Sequence, residues 1–192
     1  MSQYPEFWTS ASGAHRRVML KAAGYGDKDI RTKPHIGVPN SFQEGSPGTA
    51  HLRQIAEAVK QGIWAAGGIP VEFGIPATCG NIPNGVEEMK YEQVMRDIVC
   101  MSVEAVSKVH QFDGICMIAS CDNIIAGCYQ AAARLDIPAM VVTGGCMSAG
   151  FHEGRQVVEA DVDVARFSGK GDEELLEMEE CVCPTCGACP SM

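Results

Sequence analysis

The chain has 192 residues, of which 46% are hydrophobic and 20% charged, enough apolar material for a buried core. Its net charge of −9, from 24 acidic against 15 basic residues, argues against a nucleic-acid surface, which needs clustered lysine and arginine. No apolar run approaches the ~20 residues that span a bilayer. Met1 to Ser10 carry no Arg-rich or apolar targeting segment, so a cytoplasmic protein with neither nucleic acid nor membrane as partner is expected.

Residues 1–32 read as an N-terminal helical arm, in which Arg16 and Arg17 lead into Val18, Met19 and Leu20 and Gly24 with Gly26 stops the helix. Ile36 to Val38 reads as a short buried strand, followed by a polar Gly/Pro-rich loop over 40–49. From His51 to Ala66 the stripe Leu52, Ile55, Ala56, Val59 and Ile63 has helical spacing, and Gly67-Gly68 ends it. Val71 to Phe73 is a strand, 76–85 an irregular loop, and 87–109 a long helix with Met95, Ile98, Met101, Ala105 and Val109 inward. Met140 is grouped with Met95 and Met101 as core filler.

Gly114 to Ala119 is a continuous apolar run, suited to a parallel strand covered on both faces. A helix follows through Ala131 to Ala133, then a strand from Ala139 to Val142. The alternation predicts an α/β fold, a largely parallel sheet flanked by helices on both faces, with 33–150 as the α/β domain. Ligands in such folds bind at loops leaving the C-terminal strand ends, here 40–49, 77–85 and 120–127. The segment 151–192 changes character: 157–164 reads as an edge hairpin strand and 172–180 as an acidic helix, ahead of a cysteine motif. The histidines at 35, 110 and 152 are scattered and read as surface or satisfied core groups; His51 stands apart at a helix start.

Ten cysteines, without a secretory signal, are not expected to form a disulfide framework. Cys100 and Cys116 fit buried apolar roles. Cys181, Cys183, Cys186 and Cys189, at C-x-C-x-x-C-x-x-C spacing broken by Pro and Gly turns, form a metal-binding pattern. Soft thiolates match either zinc or an iron–sulfur cluster, and spacing does not choose between them. Cys121-Asp122 stands between a strand and a helix, where free N–H groups favour a thiolate and the carboxylate suits a hard cation such as Mg2+. Asp122 as a plain helix cap is the competing reading. Cys79, in Thr78-Cys79-Gly80-Asn81, is a third loop cysteine.

The stretch from Cys121 to Ala139 resembles the central motif of dihydroxy-acid dehydratases, a family that includes phosphogluconate and sugar-acid dehydratases. Lys33 to Ser41 resembles the family's first strand and loop; His51-Leu52-Arg53, Gly67-Gly68 and Met89-Lys90-Tyr91 fall in order after it. Cys183-Pro184-Thr185-Cys186-Gly187-Ala188-Cys189 resembles the family's Cys-Pro-Thr-Cys-Gly-Ser-Cys. The resemblance implies a hydro-lyase of amino-acid biosynthesis that takes water from a 2,3-dihydroxy acid to give a 2-keto acid through an enol. It also implies an iron–sulfur cluster (2Fe-2S or 4Fe-4S) whose open iron binds the leaving hydroxyl, Mg2+ holding the substrate carboxylate, and a serine that takes the C2 proton.

Carried over residue by residue, Cys121 and Cys189 fall on two of three cluster cysteines and Asp122 on an Mg2+ ligand. The first cluster cysteine is replaced by Gly48, the lysine after Cys-Asp by Asn123, and a loop carboxylate around Gly80-Asn81 is missing. Cys79, Cys183 or Cys186 could supply the missing thiolate, and Asn123 could offer its carbonyl to the cation. The serine base belongs to a later part of family members. The expected partners are therefore a small-molecule hydroxy acid and either further copies of the chain or a second subunit supplying a C-terminal domain. The alternatives are a non-catalytic iron–sulfur or zinc-binding relative acting as a partner, and a zinc-stabilised structural domain.

Overall fold

The computed structural model describes residues 5–189; the ends of the expected arm and of the cysteine segment, 1–4 and 190–192, lie outside them. The arm consists of α1 (Pro5–Thr9), a 3-10 turn, α2 (Ala14–Ala22) and α3 (Asp27–Thr32). Arg17 ties it together, donating from Nη1 to the carbonyls of Trp8 at 3.0 Å and Ser10 at 2.7 Å. Trp8 packs on His35 with ring centroids 4.4 Å apart, which attaches the arm to the first strand.

Strands β1 (His35–Asn40), β2 (Ile69–Gly74), β3 (Gly114–Ala119) and β4 (Ala139–Thr143) form one parallel sheet in the order β2-β1-β3-β4. His35 stands opposite Ile69, Ile36 opposite Gly114, and Ile115 opposite Ala139. The connections are helical: α4 (Leu52–Ala65), α5 (Tyr91–His110) and α6 (Asp122–Leu135). One face packs Val38 and Ile118 against Leu52 and Ala56 of α4. The other packs Ile115, Met117 and Ala119 against Val99, Cys100 and Val103 of α5 and Ile124, Cys128 and Ala131 of α6. The sheet is thus α/β, parallel, with helices on both faces, as the strand-helix alternation requires. Among the described residues no helix is long and apolar enough to cross a membrane.

Helices α5 and α6 touch at Gly127, where an added Cβ would stand 2.7 Å from the Arg96 carbonyl oxygen and 2.8 Å from Val99 Cβ. That approach sets which face of α5 turns inward. Val99, Cys100, Val103 and Ser107 are buried, whereas Met101 and Val109, expected inside, are 55% and 77% exposed. The apolar residues of α5 run most of the way round it, so periodicity alone did not select the stripe; docking on Gly127 did. Met140 is likewise 62% exposed, on the outer strand of the sheet.

The second correction concerns 157–164. The chain forms a hairpin of β5 (Gly150–His152) and β6 (Arg155–Val157), then α7 (Glu159–Phe167) and α8 (Asp172–Cys181). Val157 does end the hairpin strand β6 and Val158 caps the next helix, whereas Val162 and Val164 lie on α7, whose first turn holds Glu159 and Asp161. Asp161 Oδ2 accepts from the Val158 amide at 2.8 Å, satisfying a helix-start donor and outweighing β-propensity.

His35 is a satisfied core histidine, 2% exposed, with Nε2 3.1 Å from the Ile30 carbonyl oxygen. Burial holds its pKa below the ordinary 6.5, against smaller raising effects of the Ile30 carbonyl and Asp113. A depressed folded pKa means that the unfolded chain takes up the proton first. Stability is therefore expected in full above pH 6.5 and lost as pH falls towards the folded value, with a slope of at most about 1.4 kcal/mol per pH unit. Urea midpoints compared between about pH 7.5 and about pH 5.5 check this; His35→Asn should flatten the dependence.

Candidate active site

The order β2-β1-β3-β4 reverses direction between β1 and β3. At such a point the following loops splay apart, opening a crevice at the carboxyl ends of the strands. The loop after β1 folds on itself there: Thr49 Oγ1 donates to the Gln43 carbonyl at 3.0 Å and the Ala50 amide to the Ser46 carbonyl at 2.9 Å. The loop after β2 carries Cys79, and the turn after β3 carries Cys121 at the start of α6.

Cys121 has φ 75 and ψ 144, a region that costs a non-glycine residue about 1–3 kcal/mol. The turn aims its thiol at Cys79. Cys79 is pulled down to about 6, first by the hydrogen bond from the Cys121 thiol and then by the amides of Asn81 and Ile82. The Ser46 hydroxyl, without a geometrically sound partner of its own, lies beside the same sulfur and acts in the same sense. The hydrogen bond to Cys79 and burial push Cys121 well above the ordinary thiol range. Cys79 is thus the more acidic thiol of the pair.

Cys189 arrives from the other end of the chain. The Gly187 amide donates to the Pro47 carbonyl at 3.0 Å, Ala188 to Gly145 at 2.8 Å, and Met147 to Ala188 at 2.8 Å. The Ser148 amide adds a bond to Thr185 Oγ1 at 2.8 Å. These bonds lay the cysteine motif across the loops after β1 and β4, and Asn81 Nδ2 donates to Cys189 Sγ at 3.0 Å. Burial raises Cys189 to about 11, with Glu159, Cys79 and Cys183 adding to it. Cys183 is raised for the same first reason and also feels the charge of Cys79; Cys183 and Cys186 are both exposed.

Gly187 makes this docking possible. Its φ is +149, and an added Cβ would collide with the Met147 amide. Gly187→Ala is expected to free the motif from the strand ends at a local cost of about 1–3 kcal/mol, leaving the sheet intact. Limited proteolysis after α8 should then accelerate while the main thermal transition stays in place; unchanged proteolysis would refute the assigned docking.

Six buried side-chain atoms in these loops have no hydrogen-bond partner: Ser41 Oγ, Gln43 Oε1, Ser46 Oγ, His51 Nδ1, Thr78 Oγ1 and Ser120 Oγ. Buried polar groups are normally paired, so such a concentration marks the lining of a ligand site. An added Cβ at Gly48 would point into it, 3.5 Å from the Gly187 carbonyl oxygen, 3.6 Å from Ser46 Oγ and 3.7 Å from Ser120 Oγ. These hydroxyls carry no spacing signal in the sequence. Beside the crevice, a polar cleft of about 380 Å³ is lined by Asn81, Asn84, Asp163 and Arg166.

The residues expected to hold a cation divide. Asp122 Oδ1 accepts from the Asn123 amide at 2.8 Å. Asn123 is buried; its Oδ1 accepts from Arg96 Nε at 2.7 Å and its Nδ2 donates to Glu92 Oε2 at 3.2 Å. Its carbonyl is therefore engaged by a guanidinium. Glu92, 5% exposed, also approaches Gly80, whose added Cβ would lie 3.8 Å from Oε2. A carboxylate from α5 thus stands beside the position where the loop lacks one. Sequence reasoning missed it, because Glu92 and Arg96 look like any exposed i, i+4 pair.

The cysteines do not form a closed zinc site. Among the described residues no three cysteine sulfurs lie within 4.8 Å of one another. Thiolates around one tetrahedral zinc would stand about 3.8 Å apart. For a hard cation such as Mg2+, the Asp122 carboxylate is the oxygen donor that the expected residues would offer.

Residues 33–192 match the family described as dihydroxy-acid/6-phosphogluconate dehydratase N-terminal. The chain is 44% identical over 183 residues to a protein of Methanobrevibacter smithii named dihydroxy-acid dehydratase, covering 93% of this chain and 33% of the relative. It is 46% identical over 188 residues to the protein of that name in Desulfitobacterium hafniense, covering 96% of this chain and 33% of the relative. A third, from Pyrococcus abyssi, is 44% identical over 183 residues, with coverage of 93% and 33%. The chain spans about a third of the length of these curated relatives. With a crevice at the strand ends, cysteines delivered to it from three segments and a match from residue 33 onwards, the chain belongs to the dihydroxy-acid/6-phosphogluconate dehydratase N-terminal family.

Proposed function

We propose that this chain is the cluster-bearing N-terminal part of a hydro-lyase that converts a 2,3-dihydroxy or sugar acid to a 2-keto acid. In that reaction the C2–H and C3–O bonds break, proton and hydroxide leave as water, and the C2–C3 enol becomes the ketone. The observation that carries the reading is the meeting of Cys79, Cys121 and Cys189 over six unpartnered buried polar atoms. Bound there, an iron–sulfur cluster (2Fe-2S or 4Fe-4S) supplies Lewis-acid activation of the leaving hydroxyl.

Cys121 and Cys189 are assigned as ligands, with Cys79 as the thiolate that makes up for Gly48. Asp122 is assigned to Mg2+, and the Ser46, Thr78 and Ser120 hydroxyls to orienting substrate oxygens. The polar cleft beside Asn81 and Arg166 suits a substrate rich in hydroxyls. The serine base and a lid come from a C-terminal portion, in the same chain or in a second subunit. All ten cysteines are unpaired, which suits the reducing cytoplasm.

Iron and acid-labile sulfide in the anaerobically purified chain test the reading. Cys121→Ser and Cys189→Ser should each weaken iron retention at least about tenfold, as loss of a direct ligand must, and Cys186→Ser should leave it unchanged. Equal iron in all three variants would overturn the ligand assignment.

A second reading, a non-catalytic metal-binding relative, is favoured by Asn123 being held by Arg96 and by the absence of a carboxylate at Gly80. Under it, metal binding persists, yet joining the chain to the remaining two-thirds of a dehydratase relative restores no dehydration. Zinc without iron would favour this reading or a structural zinc domain.

A further inference from the structure

We propose that His152, Glu153 and Glu174 form a second metal site, for a zinc-class divalent cation, that clamps α8 to the β5–β6 hairpin. One ring nitrogen of His152 and one carboxylate oxygen from each glutamate lie within 4.8 Å of one another. Among the described residues this is the one group of at least three such ligands that lies this close.

Proximity of acidic groups would not carry the inference alone. The second observation is His152 itself, at the end of β5, 8% exposed and with Nε2 buried and unpartnered. An imidazole nitrogen left so has lost its hydration without a replacement partner, a loss that a cation bound at that nitrogen would offset. A nitrogen with two carboxylate oxygens is a donor set for zinc with an open fourth position for water.

The surrounding elements suit a clamp. Glu153 occupies the hairpin turn at φ +48 and is exposed. Glu174 projects from α8 and is ion-paired with Lys170. At its far end α8 meets the same hairpin, where an added Cβ on Gly150 would collide with the Cys181 carbonyl. Helix α8 is thus seated on β5 at both ends and runs directly into Cys183 and Cys189. Ligands of a tetrahedral zinc stand about 3.3 Å apart, so Glu153 and Glu174 close inward and Glu174 leaves Lys170. Lys170 is therefore a built-in competitor.

The site is independent of the dehydratase reading, and Co2+ is the probe that separates them. Thiolate-bound Co2+ shows an intense sulfur charge-transfer band, and Co2+ held by nitrogen and oxygen does not. The anaerobically purified full chain should bind one equivalent of Co2+ without that band. Glu153→Gln, at an exposed turn that does not disturb folding, should weaken this equivalent at least about tenfold; His152→Gln and Glu174→Gln should do the same. Lys170→Met should tighten it. Absence of the band-free equivalent, or equal binding in wild type and Glu153→Gln, would overturn the site. If the cluster reading fails instead, thiolate bands change and the band-free equivalent does not.

Discussion

Replacing Cys121 by glycine is expected to make the metal-free chain more stable than the Cys121→Ala variant, by up to about 2 kcal/mol net, while abolishing most iron binding. The cause is the backbone: φ 75 with ψ 144 is open to glycine and strained for any residue with a Cβ. Comparison with alanine matters, because both variants lose the same buried sulfur and differ in the Cβ. Glycine's greater unfolded-state entropy, about 0.5–1 kcal/mol, works against the gain, so a net difference in its favour reports the relieved strain. Urea denaturation of both metal-free variants, with iron content of each, is the measurement. A glycine variant less stable than alanine by about that entropy would mean that the turn is relaxed and that its geometry is not a device for aiming the thiol.

Gly48→Cys should have the opposite effect on the site. A Cβ at this position meets its nearest neighbours at 3.5 to 3.7 Å, ordinary van der Waals contact, so a side chain enters without displacing backbone. The direction is towards Ser46, Ser120 and the Gly187 carbonyl, inside the crevice that Cys79, Cys121 and Cys189 border. A thiolate there is expected to slow loss of iron to a chelator by about tenfold or more, with stability changed by under about 1 kcal/mol. Gly48→Ala controls for the added volume. If cysteine and alanine release iron alike, position 48 does not face the cluster, and Cys79 is not standing in for it.

The order of elements from β1 to β4, the parallel sheet and the strand ends at which chemistry could sit were legible in the sequence. These follow from local patterns: helical stripes such as Leu52 to Ile63, continuous apolar strands such as Gly114 to Ala119, and glycines that end helices. The sequence also placed Cys121 and Cys189 in recognisable motifs, because motif residues are contiguous. Tertiary structure decided what those motifs meet. Whether Met101 or Val103 faces inward depended on the close approach of α5 to Gly127, a contact between segments that periodicity cannot see. Val162 and Val164 became helical because Asp161 caps the amide of Val158, overriding their β-propensity. Asn123 became a hub for Arg96 and Glu92, and Cys79 joined Cys121 and Cys189, since each pairing closes a long loop whose geometry the chain's local preferences do not specify. Local propensity sets which elements form; packing between distant segments sets which side chains share a site.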